Sequence, residues 1–327
     1  MFVSVHARYT HIPCLIFGIY VSVKLISIIT VNFNQAAVTE DLLASILRIN
    51  SYPEIEIIVV DNGSKVDAVP SWKQKYPGVT FIRSEKNLGF AGGNNLGVAA
   101  AKGDYLFFVN NDTIFTGNLV SDLVGTLEAY PKTGMVSPKI VYYDQQDMLQ
   151  YAGFTPMNYK TAQNRCVGYQ EKDNGQYDHL TGSITSYAHG AAMMVKREAI
   201  EKAGLMAENY FLYYEELDWC ERIRKAGYDI RVNMRALIYH RESLSVGRQS
   251  SLKEYYMNRN RILFIRRNTS RFNYALFICY FLNIVMPRNV FRYLVRRQYN
   301  FIPVLMKAIW WNFTNNVKSN RLYFPAQ

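Results

Sequence analysis

Two apolar runs in this chain end in carboxylates. IIVVDNGS at 57–64 stops at Asp61, and DYLFFVNNDT at 104–113 stops in Asn110, Asn111 and Asp112. Each run reads as a buried strand that delivers an acid at its C-terminal end, where open α/β sheets bind ligands. Two acids placed there suit a divalent cation and the polar parts of a nucleotide. The plainer alternative is that each Asp caps the turn or helix that follows. A second acidic centre, Glu215, Glu216 and Asp218, opens the stretch EELDWCERIRKAG. A carboxylate within hydrogen-bond reach of a hydroxyl takes its proton as that hydroxyl attacks. Acids in a first helical turn are also favourable on dipole grounds alone. His240 follows the apolar stretch DIRVNMRALIY, and His189 opens HGAAMM. Imidazole suits Mn²⁺ better than Mg²⁺, though either His reads equally well as structural. Trp219 is placed either to stack on a ligand or to pack in the core.

The elements that must position these groups follow from periodicity. Residues 25–33, 54–61, 79–83 and 104–110 read as four strands. Leu42, Leu43, Ile46, Leu47 and Ile49 make an amphipathic helix of 38–50, and 66–76 reads as a second helix. NLGFAGGNNLGVAAAKG is a Gly-rich turn running into a small-residue helix that Gly103 ends. This β-α-β-α-β-α-β rhythm predicts an α/β fold with a mainly parallel sheet and right-handed crossovers. Downstream, 118–130 reads as helix and 135–143 as strand; 144–180 reads as a loop-rich insertion. Residues 186–200 read as a strand entering a helix near Arg197, and 229–239 as a strand ending at His240. From 251 onward the pattern is helical, basic and aromatic.

Within the Gly-rich turn, Asn87, Gly89, Gly92, Gly93 and Asn94 allow positive φ and close backbone approach to a ligand. The turn lacks the GxxxxGK[ST] pattern, so ATPase chemistry has no support. Thr30, Asn32 and Asn34, at the end of the first strand, are expected to line the same pocket as Asp61.

Composition narrows the partners. The chain has 327 residues, is 49% hydrophobic and carries a net charge of +11. That charge is concentrated: residues 241–327 hold fifteen Lys and Arg against two Glu, and the rest of the chain is slightly acidic. Such asymmetry points to an anionic surface, membrane lipid or nucleic acid. No nucleic-acid motif is present, so lipid is the expectation and nucleic acid is not. Arg259, Arg261, Arg266 and Arg267 are expected to meet a lipid diphosphate or phospholipid headgroups. The apolar stretch 274–287 is too short to span a bilayer, holds Asn283 and ends at Pro287, which favours lying in the interface. The apolar segment 12–23 is likewise too short to span, and no small-residue cleavage site follows it. It reads as a membrane-touching arm or as sequence upstream of the natural start. Four widely spaced cysteines fit neither a zinc site nor a disulfide framework, and a reducing, cytosolic setting is the default.

Taken in order, VDNGS, KNLGFAGGNNLG, GDYLFFVNND, HGAAMMV and FLYYEELDWCERIRKAGY resemble the family 2 glycosyltransferases. Within them the pattern is most similar to the rhamnosyltransferase-like enzymes of bacterial surface-polysaccharide assembly. The resemblance covers roughly residues 24–270. It implies a GT-A fold, a nucleotide-diphosphate sugar donor, a divalent cation (Mn²⁺ or Mg²⁺) and inversion at the anomeric carbon. It places Asp112 as the metal acid and Asp61 against the nucleotide base or ribose. Glu216 falls at the position of the catalytic base, where Asp is more usual, and in some relatives a His matching His240 helps bind metal. The chain departs from the family's Asp-x-Asp motif, because Asn110 replaces the first acid. Asn110 retains hydrogen-bonding capacity toward ribose or sugar hydroxyls. His189, Glu215, Asp218 and Trp219 fall on the acceptor side. The expected organisation is an apolar arm at 1–23, a GT-A domain at 24–250 and a helical, membrane-associating segment at 251–327. The expected enzyme is an inverting hexosyltransferase on the cytosolic membrane face, with dTDP-rhamnose the first donor and a lipid-linked saccharide the acceptor. Alternatives are another hexose donor or a non-catalytic nucleotide-sugar-binding scaffold.

Overall fold

The computed structural model describes residues 23–241 and 250–322; the expected N-terminal arm falls almost wholly outside the described residues. The chain opens with β1 (Ile26–Asn32), α1 (Ala36–Ile49), β2 (Ile55–Asn62), α2 (Val69–Lys75), β3 (Val79–Ser84), α3 (Gly89–Ala100) and β4 (Tyr105–Val109). It continues with β5 (Thr113–Phe115), α4 (Leu119–Ala129), β6 (Thr133–Tyr142), β7 (Met148–Tyr151), β8 (Glu171–Lys172) and β9 (Ala192–Lys196). Then follow α5 (Arg197–Ala203), α6 (Glu215–Lys225), β10 (Asp229–His240) and α7 (Ser251–Asn268). The last helices are α8 (Arg271–Tyr280), α9 (Met286–Val295) and α10 (Phe301–Thr314).

One ten-stranded sheet runs β3-β2-β1-β4-β9-β6-β10-β5, with β7 and β8 added beside β6. The α/β expectation holds, but the parallel character is confined to β3-β2-β1-β4 and to the β6–β10 pair. β9 enters antiparallel between β4 and β6, and β5 pairs antiparallel with β10. The insertion at 144–180 is not merely loop, since it supplies β7 and β8.

Strand alternation sorts side chains to two layers. Ile28, Ile57, Val59 and Phe107 pack with Leu42, Leu43 and Ile46 of α1, with Trp72 of α2 and with Leu123 of α4. Ile29, Ile58, Leu106 and Phe108 face the other way, into a cluster that takes in Trp219 of α6 and Ile262 to Ile265 of α7. Phe277, Phe281, Val285, Tyr293 and Leu305 of the last helices belong to the same cluster, so the basic segment packs on the sheet domain.

Two features of the C-terminal segment differ from the sequence expectation. First, Pro287 does not end the helix. A π-turn at Phe281–Val285 joins α8 to α9, and Pro287 sits in the first turn of α9. The wider turn relieves the clash between the Pro ring and the preceding carbonyl. Arg271–Val295 is therefore a continuous run of 25 residues, long and apolar enough by length and composition to cross a membrane. Second, most of the named arginines are internal ties. Arg259 is fully buried, donates to the Asn209 carbonyl and lies 4.2 Å from the Trp311 ring. Arg266 donates to the Asn312 and Asn315 carbonyls, and Arg267 lies 3.4 Å from buried Asp218. These three satisfy buried backbone and acid groups.

Gly89 shows how tightly the site is framed. Its φ is +73°, and an added Cβ would fall on the Phe211 carbonyl oxygen, which already accepts from Phe90 N. Gly89→Ala should cost about 1–3 kcal/mol from the backbone strain alone. Gly78→Ala, where nothing lies within 4 Å, should stay within about 0.5 kcal/mol. Urea unfolding midpoints of the two variants check the contrast.

Candidate active site

Sheet register builds one side of the site. β4 ends at Val109, the chain turns through Asn110 to Asp112, and β5 then pairs with β10 so that Thr113 lies opposite His240. Arg241 N donates to the Asp112 carbonyl at 2.9 Å, which fixes the two strand ends together. The result sets His240 Nε2 3.1 Å from Asp112 Oδ1. The two atoms are not aligned as a hydrogen bond, and Asp112 Oδ1 is a buried oxygen without a hydrogen-bond partner. His240 Nδ1 lies 2.8 Å from Gln150 Oε1 on β7. An amide oxygen only accepts, so Nδ1 carries the proton and Nε2 presents its lone pair. A carboxylate oxygen and an imidazole nitrogen at this distance can share a proton or hold a divalent cation together. With Gln150 as the outer partner that fixes the ring, the donor set fits a divalent cation. Among the described residues no third His, Cys, Asp or Glu completes a cluster. Further ligands would then come from water or a diphosphate.

A strained turn builds the opposite side. Phe211, Tyr213 and Tyr214 have φ of 65°, 69° and 74°, left-handed values that bulky residues rarely adopt. Each costs on the order of 1–3 kcal/mol and persists only when its surroundings enforce it. The enforcing group is Asn260 of α7, whose amide donates to the carbonyls of Tyr210, Leu212 and Tyr213 at 2.9, 2.7 and 2.8 Å. The turn delivers Glu215 and Glu216 as the first residues of α6. Burial, reinforced by the Glu216 charge, holds the Glu215 carboxyl well above the ordinary range, and Glu215 Oε2 has no hydrogen-bond partner. Burial also raises Glu216, which sits beside Gly190 of the turn before β9.

Between the two sides lies a cavity of about 670 Å³, within the usual range for ligand sites. Asn87, Asn110, Asp112, His189, Glu215, Glu216 and His240 all line it, so the structure brings these seven sequence candidates together. Its lining holds three acids against one Lys or Arg, Lys253, an imbalance that a cation would offset for an anionic ligand. His189 stacks on Phe154 with an interplanar angle of 1° and accepts from Ala191 N at Nδ1. Burial, with His240 nearby, pulls its pKa down to about 3, so at neutral pH it is an uncharged Nε2–H donor.

The glycosyl transferase family 2 model matches residues 27–204, more than half the chain. The chain belongs to glycosyltransferase family 2. It is similar to the low-salt glycan biosynthesis hexosyltransferase Agl10 of Haloferax volcanii, at 26% identity over 73% of this chain and 74% of that one. It is also similar to the N-acetylglucosaminyl-diphospho-decaprenol L-rhamnosyltransferase of Mycobacterium tuberculosis, at 24% identity over 68% of this chain and 78% of that one. A longer relative, uncharacterized protein y4gI of Sinorhizobium fredii, is 27% identical, and the matched region spans 30% of its length. Among solved structures, the mannosyltransferase PcManGT of Pyrobaculum calidifontis, in complex with GDP-Man and Mn²⁺, superimposes with a TM-score of 0.55 at 15% identity. The overlay covers 90% of this chain and 88% of that one. The fold is GT-A.

Within this family 2 glycosyltransferase, the other expected contacts become supports. Asp61 is fully buried and outside the cavity lining, pairing with Arg83 and accepting from Asn32 at 2.7 Å and Ser64 at 2.5 Å. Asn32 is spent on Asp61, Ser64 and Thr39, while Asn34 bridges Ser64 and Lys65. Thr30 lies inside the sheet, and Gly92 leaves room for the Leu88 side chain. Asp218 binds Arg222, Asn268 and Tyr210 in the core. Trp219 meets Phe108 edge-on and donates to the Gly204 carbonyl. In this structure the Asp61, Asn32, Asn34, Asp218 and Trp219 side chains are held by other protein groups, while Thr30 Oγ1 is buried with no hydrogen-bond partner. The sequence reading missed Gln150, hidden in an aperiodic polar stretch, and Asn260, hidden in a basic helix. It also passed over Lys253, whose place in the basic run was its only signal.

Two outcomes check the acid side. Glu215 has a folded pKa above its unfolded one, so it costs nothing below the ordinary value of 4.5 and destabilises the fold increasingly as pH rises through the folded pKa. Glu215→Gln should therefore raise the melting temperature at pH 7, and the gain should vanish near pH 4. Asn260→Ala leaves the Leu212 and Tyr213 carbonyls without their donor, while the Tyr210 carbonyl keeps Leu212 N, and should cost about 1–3 kcal/mol. It should also lower turnover more than donor affinity, read by steady-state kinetics beside donor titration.

Proposed function

We propose that this glycosyltransferase moves a hexose, with inversion, from a nucleoside-diphosphate sugar to a lipid-linked saccharide at a membrane surface. The observation that carries the proposal is the opposition of Asp112 and His240 to Glu215 and Glu216 across one cavity. In this reading Asp112 and His240 hold Mn²⁺ or Mg²⁺, which when bound neutralises charge on the departing diphosphate. Glu216 accepts the proton of the attacking acceptor hydroxyl; its raised pKa brings it closer to working pH and makes it a stronger base once ionised. His189 donates to the donor's oxygens, and Asn110 and Asn87 hydrogen-bond its hydroxyls. The walls around Phe154, Phe211 and Tyr213 exclude water that would otherwise hydrolyse the donor.

Rhamnose from dTDP-rhamnose is the first donor we assign. Its support is the sequence pattern together with the similarity to the mycobacterial rhamnosyltransferase, whose name also specifies a diphospho-decaprenol acceptor. Attachment at the cytosolic membrane face draws support from the surface of the last helices. Phe272, Ile284, Phe291, Val295, Trp310 and Phe313 are exposed. The opposite face of α8–α9 is buried on the sheet domain through Phe277, Phe281, Val285 and Tyr293, which suits a helix lying in the interface rather than crossing it.

Purified protein in detergent, given a panel of nucleotide sugars, should release nucleoside diphosphate from one of them with Mn²⁺ or Mg²⁺ and not with EDTA. Glu216→Gln should cut that turnover by about 10²–10⁴-fold while donor binding stays intact. Binding and release both lacking across the panel would sink the enzyme reading. A Glu216→Gln protein with unchanged turnover would remove Glu216 as the base.

A further inference from the structure

A second cavity, of about 380 Å³, adjoins the active site and shares Ser250 and Lys253 with it. It lies between α7 and α9. Lys253 and Arg261 project from α7, Arg288 and Arg292 from α9, and Arg296 from the residue that follows α9. The spacing of four sets the α9 arginines in one row along the helix. One acid lines the cavity, Glu254, and it is committed to Asn258 at 2.7 Å and to the Tyr293 hydroxyl. Among the described residues no carboxylate forms an ion pair with Arg288, Arg292 or Arg296. Arg261 donates to the Thr161 carbonyl at 2.6 Å, while its Nε is buried with no hydrogen-bond partner.

Five cations around a small cavity with one occupied acid favour an anion, and guanidinium forks match phosphate oxygens. The surroundings narrow the anion further. On one side the cavity opens toward the catalytic acids, since Tyr214, which precedes Glu215, is part of its wall. On the other, α9 turns Phe291, Leu294 and Val295 to the exterior, beside Ile284 of the π-turn and Phe272 of α8. An anion held here has an apolar surface behind it and the reacting centre ahead of it.

We propose that this cavity binds the diphosphate of the lipid-linked acceptor, with the saccharide directed to Glu216 and the lipid chain leaving over the exposed face of α8 and α9. The direction of the saccharide rests on the glycosyl-transfer reading above; the affinity for a lipid diphosphate does not. No covalent step is involved.

The test uses the full chain in detergent micelles, with farnesyl diphosphate, farnesol and inorganic pyrophosphate as probes and intrinsic tryptophan fluorescence as readout. Farnesyl diphosphate should bind at least ten-fold more tightly than either farnesol or pyrophosphate. The double variant R288Q/R292Q, altered at two exposed positions, should lose at least ten-fold in that affinity while metal-dependent donor turnover in the absence of acceptor stays unchanged. Equal binding by wild type and variant, or farnesol binding as tightly as its diphosphate, would overturn the proposal. So would pyrophosphate binding as tightly as farnesyl diphosphate, which would mark a site for free phosphates. Loss of binding to phosphatidylglycerol vesicles, with farnesyl diphosphate affinity untouched, would reassign the arginines to the membrane surface and overturn it too. Arginine-dependent farnesyl diphosphate binding in a protein that turns over no donor would leave this site standing and defeat the glycosyl-transfer reading alone.

Discussion

One amide holds the Glu215 and Glu216 side of the cavity in shape. Asn260 donates to three carbonyls of the turn ahead of α6, where three aromatic residues take left-handed conformations they would not keep unaided. The same helix contributes Arg259, buried beside Trp311 and donating to the Asn209 carbonyl. Both contacts end on the segment that carries Glu215 and Glu216. The C-terminal helices are therefore more than a basic appendage, because the position of the acids is fixed from α7. A helix rich in charge is an uncommon choice for a buried brace, and its cost shows in Arg259, two of whose nitrogens lack partners.

The two sides of the cavity are built on opposite principles. Asp112 and His240 are placed by ladder register, with β5 and β10 paired and Arg241 bonded back to Asp112. Such placement resists displacement. Glu215 and Glu216 sit on a strained turn, and their burial with raised pKa values costs stability at neutral pH. Strain and buried carboxyls gather on the Glu215 side of the cavity, and regular ladders on the Asp112 side.

Much of the first half was legible because each local rule agreed with the global one. Alternating apolar strands, a period-3.6 first helix and a Gly-rich turn all predict a parallel layer of β1 to β4, which the structure contains in the order β3-β2-β1-β4. The cavity lining was legible at Asn87, Asn110, Asp112, His189, Glu215, Glu216 and His240, which lie at or near the ends of strands and helices. Where a polar residue near a strand end is instead a strut, as with Asp61, Asn32 and Asn34, residue type alone could not separate ligand contact from support. The difference lies in partners such as Arg83 and Ser64, which come from elsewhere in the chain. The antiparallel entry of β9 was not visible because a buried strand reads the same in either direction. Gln150 and Asn260 were missed for a related reason, since each acts on backbone or side chains more than forty residues away.

The π-turn at Phe281–Val285 has a consequence for the helix beyond it. A turn of this kind inserts one residue into the helical count and so rotates everything that follows by about 100° relative to an unbroken α-helix. Here it acts as a phase shifter between two amphipathic halves. Ahead of it, Phe277 looks inward; after it, the inward line passes through Asn289 and Tyr293, with the arginine row along its flank and the apolar row outside. Without the added residue the arginines would swing off the cavity by about a quarter of a turn. Their aim is thus written less in their own spacing than in the miscounted turn ahead of them.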